Sequence, residues 1–190
     1  MKFHLSTWSS TVHIVTSLAD GALIEYFSKS ASLDAGRIIV EGELRAMTEL
    51  YQVIPSSIPK PFAHGKFVTE EPPIYFLLSE YVDMRKDDSD PEILCAKIVE
   101  LHRKSVSPTG KFGFKVWTCN GRTPQAVEWD DSWTSLFRKM MIHVLAEDIK
   151  ANGRWPEYER VGKTMFSDVI PRLIGALERD VRSMEPCLVQ

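Results

Sequence analysis

The sequence predicts an α+β protein built in two lobes, a β-rich first lobe containing one helix and a mainly helical second lobe. Three observations carry this. Two β-rich runs, 10–18 and 22–31, flank Asp20-Gly21, a pair that marks a hairpin because glycine accepts the turn's positive φ. A polar connector, RKDDSDPE, follows Met84. Beyond it, apolar residues recur at helical spacing over 131–150. The expected division is 1–84 and 85–190.

Taken in order, Val12, Ile14, Ile24 and Tyr26 alternate as in strands with one buried face. Over 38–53, Val40, Leu44, Met47, Leu50 and Tyr51 fit one face of a helix. Residues 54–62 contain Pro55, Pro59 and Pro61 and read as extended loop. A second hairpin is predicted over 66–84 around Glu71-Pro72-Pro73, its second strand, IYFLLSEYV, apolar enough to lie inside a sheet. Asp90-Pro91 opens a helix with Ile93, Leu94, Ile98 and Leu101 on one face. The stretch 111–133, KFGFKVWTCNGRTPQAVEWDDSW, reads as irregular chain in which Phe112, Phe114, Trp129 and Trp133 anchor against helices. The helix of 131–150 presents Trp133, Leu136, Phe137, Met140, Met141, Val144 and Leu145, and a segment over 156–180 is kinked or split by Pro171.

Composition excludes several function classes. The formal charge is −3, with no basic run, so neither nucleic acid nor an anionic membrane surface is the expected partner. Cys95, Cys119 and Cys187 are too few and too scattered for a disulfide framework or a zinc site. No apolar run reaches the length of a membrane span, and the expected setting is reduced and cytoplasmic. His4, His13, His64, His102 and His143 show no metal-ligand spacing and read as structural. Val161-Gly162-Lys163-Thr164 resembles the end of a phosphate-binding loop, but Glu157 stands where its first glycine belongs, and Lys163 reads as an exposed helix residue. Cys119 has no identifiable base, and no hydrolase or metalloprotease motif occurs.

One constellation has chemistry in it. Lys29 lies on the second strand of the first hairpin and Glu43 on the next helix. If they meet in a cleft, they make the ion pair that positions nucleotide phosphates; otherwise Lys29 is a solvated strand lysine. The backbone of Glu80, Tyr81 and Val82, at the end of the apolar strand, could pair with the edge of an adenine, or merely end a strand.

YFSKSA, EGELRAM, YFLLSEYVDM and LHRKSVSPTGKFGFKVWTCNGRTPQAVEWDDSW occur in the order in which they resemble the fructosamine/ketosamine kinase family, the protein-ribulosamine 3-kinases, in its fungal form. The resemblance spans essentially the whole chain. It implies a protein-kinase-like bilobal fold with a small β-rich N-lobe and a partial helical C-lobe. It also implies ATP with magnesium as cofactors, and phosphorylation of a ketosamine sugar hydroxyl on a glycated protein or small amine, which leads to deglycation. It places Lys29 and Glu43 at the phosphates and Glu80, Tyr81 and Val82 at the adenine; Ser6-Thr7-Trp8 resembles the tail of the phosphate-covering loop. Trp117, Asn120 and Gln125 are candidates for holding substrate.

The departures are equally specific. Where relatives continue past a PCLV-like strand into His-Gly-Asp-Leu-Trp, with the catalytic base, and later into a magnesium-binding Asp-Pro, this sequence reads Pro186-Cys187-Leu188-Val189-Gln190. No catalytic residue and no metal ligand is assigned within it. The expectation is a truncated family member of little or no activity, which could self-associate through apolar helix faces. The alternative is a non-catalytic kinase-like module that binds a partner through those faces.

Overall fold

Asp20-Gly21 does make a turn. Leu18 N–H donates to Ala22 C=O (2.8 Å) and Gly21 sits at φ +84°. It joins β2 (Ser10–Ser17) to β3 (Leu23–Ser32), paired antiparallel from Ser17↔Leu23 to Ser10↔Ser30. The structure is a computed structural model that describes residues 3–5 (backbone), 8–84, 90–180 and 184–188. It divides into two compact units, Met1–Ser105 and Val106–Gln190. The helix that follows the polar connector, expected to open the second lobe, falls in the first unit in this division. Residues 85–89 of the connector lie outside the described residues.

In the first unit β1 (Phe3–Leu5), β2, β3, β4 (Pro61–Lys66) and β5 (Ile74–Glu80) form one antiparallel sheet, in the order β1-β2-β3-β5-β4. Strand β5 lies between β3 and β4 and packs against the helix that follows β3. Leu77, at its centre, is fully buried. The expected loop over 54–62 needs correction. It contains one 3-10 turn, Pro55–Ser57, and β4 already begins at Pro61 and ends at Lys66, where the second hairpin was expected to start. Proline is tolerated there because β4 is an edge strand and the register shifts between Pro61 and Ala63.

Helix α1 (Leu33–Val53) starts five residues before the predicted 38. Its first turn, LDAGR, lacks the apolar repeat that marks the rest of the helix. It follows β3 with no intervening loop, which demands two local concessions. Leu33 takes φ +66° while its N–H donates to Pro73 C=O (2.9 Å). Gly36 packs so closely that a Cβ would lie 2.5 Å from the Ala31 carbonyl carbon and oxygen. The helix then lies against β3, β5 and β4, burying Val40 completely. Helix α2 (Pro91–Lys104) is capped by Asp90, whose carboxylate accepts Glu92 N–H (2.9 Å), with Pro91 in the first turn. It contributes Leu101 to a core that also holds Ala31, Ile54 and Leu77.

In the second unit the stretch expected to be irregular carries more pairing than its sequence suggests. Phe112 and Asp130 exchange two backbone hydrogen bonds (2.9 and 2.8 Å), and Phe114 N–H donates to Val127 C=O (2.7 Å). Between Phe112 and Phe114, Gly113 sits at φ +134°, where a Cβ would strike Val127 O at 2.8 Å. A small hairpin, β6 (Thr118–Asn120) and β7 (Thr123–Gln125), turns at Gly121-Arg122. The anchoring role of the aromatics holds for Phe112 and Trp133, whose ring centroids are 5.9 Å apart.

Helix α3 (Trp133–Asn152) starts at the Ser132 cap, whose hydroxyl accepts Ser135 N–H (3.1 Å). The predicted helix of 156–180 is three pieces: α4 (Pro156–Thr164), a wide π turn (Met165–Val169) and α5 (Ile170–Arg179). Pro171 explains the break, since its ring and missing N–H do not fit a regular turn and the widened turn just before it relieves both. From α5, Glu178 reaches the start of α3. Its carboxylate accepts Trp133 N–H (2.8 Å), Thr134 N–H (3.2 Å) and Ser132 Oγ–H (3.0 Å), with a further short bond from Thr134 Oγ1. Burial pulls the Glu178 pKa up, but these donors outweigh it and leave the pKa below the ordinary value. Asp130 works similarly: the Lys139 ammonium at 2.6 Å, helped by Ser132 N–H and Ser135 Oγ–H, holds its carboxyl down at about 2.

Candidate functional site

Period-two alternation and register fix which side chains share a sheet face. Lys29 on β3 lies opposite Thr11 on β2 and Leu77 on β5, so its side chain leaves the sheet on the face that carries α1. There Lys29 Nζ donates to Glu43 Oε2 at 2.5 Å. The two side chains are 24% and 34% exposed, so the pair is neither loose on the surface nor sealed in the core. A pair so placed adds little stability, about 1 kcal/mol at most. Its value is positional: Glu43 fixes the ammonium at the sheet face while leaving it reachable.

Glu80 ends β5, with Tyr81 and Val82 just beyond it. The Glu80 N–H donates to Lys60 C=O (2.8 Å), and its carboxylate accepts Lys60 N–H (3.0 Å). Glu80 thus ties the strand end to the chain entering β4. Its own N–H is committed within the protein. Val82 is half exposed. Residues 1–7, with Ser6-Thr7 of the expected phosphate-covering segment, lie outside the described side chains; Trp8 is exposed.

The sequence reading missed one residue of this face. His13, opposite Phe27, shares the Lys29 face, and its ring stacks on Tyr81 with centroids 3.6 Å apart and planes 10° from parallel. Its Nε2–H donates to Glu25 Oε2 (2.7 Å). Counting back from the turn would have paired His13 with Phe27; nothing in the sequence foretells the contact with Tyr81.

Trp117, Asn120 and Gln125 belong to the second unit. Trp117 is 42% exposed and meets the His143 ring edge-on at 5.8 Å, and His143 Nε2–H donates to Pro124 C=O (2.9 Å). Gln125 accepts Thr118 Oγ1–H at 3.4 Å and is paired with Thr118, the residue after Trp117, whereas Asn120 sits at the exposed hairpin tip. The hairpin therefore sets Asn120 two residue pairs away from Gln125. Burial pushes the Cys119 thiol above its ordinary pKa, so it is not a thiolate nucleophile at neutral pH. Lys163 is an exposed residue of α4, as its sequence context predicts. Among the described residues no three His, Cys, Asp or Glu side chains come together as a metal-binding group, and no helix is long and apolar enough to cross a membrane.

The fructosamine kinase family model matches residues 9–189. The chain belongs to the fructosamine kinase family. It is 26% identical over 155 residues to the chloroplastic protein-ribulosamine 3-kinase of Oryza sativa subsp. indica, a match covering 81% of this chain and 42% of the rice protein. It is 25% identical over 179 residues to the ketosamine-3-kinase of Mus musculus, covering 78% of this chain and 57% of the mouse protein. The chain thus spans about half the length of the curated relatives it matches. A crystal structure from Thermobifida fusca YX-ER1, assigned as a fructosamine-3-kinase, superposes with a TM-score of 0.67 at 16% identity, over 99% of this chain and 59% of that one. A second, from Haemophilus somnus 129PT with the same assignment, gives 0.52 at 19% identity over 83% and 55%. The α+β, kinase-like fold expected from the sequence is the fold of these neighbours.

Proposed function

We propose that the chain carries the nucleotide-gripping part of an ATP-dependent ketosamine kinase. The Lys29–Glu43 pair, at 2.5 Å on the α1 face of the sheet, is the observation that supports this reading, together with the family match. Lys29 holds the phosphates, Glu43 keeps its ammonium aimed at them, and the backbone at Tyr81 and Val82, just past Glu80, meets the adenine. Magnesium, when bound with ATP, neutralises charge developing on the phosphates; the described residues supply no ligand set of their own for it. The acceptor is the sugar hydroxyl of a ribulosamine or fructosamine on a glycated protein or small amine, the class named in the relatives. Trp117 offers a partly exposed ring for stacking and Gln125 a side-chain amide for hydrogen bonding.

Phosphoryl transfer depends on positioned metals and a base more than on covalent help from the protein. No His-Gly-Asp-Leu-Trp or later Asp-Pro pair of the resembled kind occurs in these 190 residues. The 190-residue polypeptide should accordingly bind MgATP and turn over a ribulosamine slowly or not at all. The test is a thermal shift with MgATP on the parent chain, Lys29→Met and Glu43→Ala, alongside a coupled assay for ADP. A shift that both substitutions leave intact sinks the assignment of the ion pair. Turnover abolished by Lys29→Met would overturn the expectation of inactivity.

A further inference from the structure

The ring that a nucleobase would meet in this site is identifiable from strand register. Glu25, Phe27 and Lys29 alternate along β3 and share one face, and Phe27 lies two residues, about 7 Å, back along the strand from Lys29. Directly opposite Phe27 on the neighbouring strands stand His13 on β2 and Ser79 on β5. A ligand whose phosphates sit at the Lys29 ammonium therefore extends, base first, along this face toward Phe27 and His13. Of the two rings, His13 is the one pinned in orientation, by its Nε2–H bond to Glu25 Oε2 at 2.7 Å, and its side chain keeps 25% of its surface exposed. The Tyr81 ring lies on it nearly parallel, with centroids 3.6 Å apart. That is the geometry in which a flat aromatic base stacks.

We propose that His13 is the nucleobase-stacking residue of this site, and that the Tyr81 phenol occupies the base's place on the His13 ring and is displaced when nucleotide binds. The proposal deepens the nucleotide-binding reading given above and rests on it. The two rings leave no gap between them for a third, so base and phenol compete for one ring face. Displacing the phenol reduces the apparent affinity for ATP, while a ligand with phosphates but no base escapes that reduction. The backbone at Tyr81 and Val82 remains beside the base after the side chain swings away.

The test is calorimetric titration of the 190-residue chain with MgATP and with magnesium tripolyphosphate, which presents phosphates without a base. In a Tyr81→Ala background, where no phenol has to be displaced, His13→Ala should weaken MgATP about tenfold or more, the value of one lost base stack, and leave tripolyphosphate unchanged. His13→Phe, which keeps a stacking ring, should stay within about threefold of the parent for MgATP. Tyr81→Ala should tighten MgATP and leave tripolyphosphate unchanged. If His13→Ala in the Tyr81→Ala background, or Tyr81→Ala alone, leaves MgATP affinity unaltered while Lys29→Met abolishes both ligands, the phosphate grip stands and the stacking assignment is wrong. A loss of MgATP affinity in Tyr81→Ala also overturns the competition, and decides it even if His13→Ala fails to fold. If the parent chain binds neither ligand, the nucleotide-binding reading fails and this inference falls with it.

Discussion

The two units are held together by different physics. In the first, an α-helix lies on an antiparallel sheet and buries Ala31, Val40, Ile54 and Leu77, with Leu101 of α2 added. In the second, Leu136 and Ile170 are the buried large apolar side chains among the described residues, while Val161, Met165, Leu173 and Leu177 of the α4–α5 stretch remain exposed. What locks that unit is polar: Glu178 on the N-terminus of α3 and Asp130 on Ser132, Ser135 and Lys139. Apolar burial is indifferent to pH, whereas a carboxylate latch holds only while ionised. The Lys29–Glu43 pair is thus mounted on the unit with the sturdier packing.

The largest effects should come from breaking the first unit's packing. Leu77→Ala removes a fully buried side chain at the sheet's centre and should cost about 3 kcal/mol, read as a fall in midpoint on urea unfolding. Gly36→Ala sets a methyl against the Ala31 carbonyl and should cost about 2–3 kcal/mol. Because it pushes α1 off β3, it should also weaken MgATP binding. If Gly36→Ala is as stable as the parent, α1 does not approach β3 as closely as described.

Glu178→Gln should cost about 1–2 kcal/mol by turning charge-assisted bonds into neutral ones. Four of the five tryptophans, Trp117, Trp129, Trp133 and Trp155, lie in the second unit, so tryptophan emission should show the loss. The pH response has a definite sign. Asp130 and Glu178 both have lowered folded-state pKa values, so their contribution is full above about pH 4, the ordinary carboxylate range. It is lost as pH falls, for Asp130 through about 2. Between these values the tryptophan-monitored transition should fall more than one followed by β-sheet circular dichroism. Equal falls would erase the contrast between the units. The smallest effect should be a gain: Leu33→Gly removes a positive-φ penalty at an exposed position and should add roughly 0.5–1 kcal/mol.

Much of the first unit was legible because its signals are local. Asp20-Gly21 between alternating runs, the helical repeat from Val40 to Tyr51 and the unbroken IYFLL of β5 each report their own structure. The missed pieces depend on neighbours. Pro61 forbids a strand only if its missing N–H is needed, and that turns on β4 lying at the sheet edge. The first turn of α1 carries no repeat because Gly36 is chosen for its approach to Ala31. In the second unit, Phe112↔Asp130 closes across seventeen intervening residues with nothing local to announce it. Within the candidate site, Lys29 and Glu43 were legible from motif order, but their meeting depends on the strand-to-helix junction. His13 was not legible, because its contact comes from the far end of β5.

The role proposed for Lys29, held by Glu43, is to grip nucleotide phosphates. Its most direct test is the MgATP dissociation constant, by calorimetry, of the parent chain, Lys29→Met, Glu43→Gln and the double variant. Measurable binding is expected in the parent, with a loss of about tenfold or more in each single variant and a double variant little worse than Lys29→Met, since Glu43 acts through Lys29. Binding unchanged in Lys29→Met, or losses that simply add in the double variant, would contradict it.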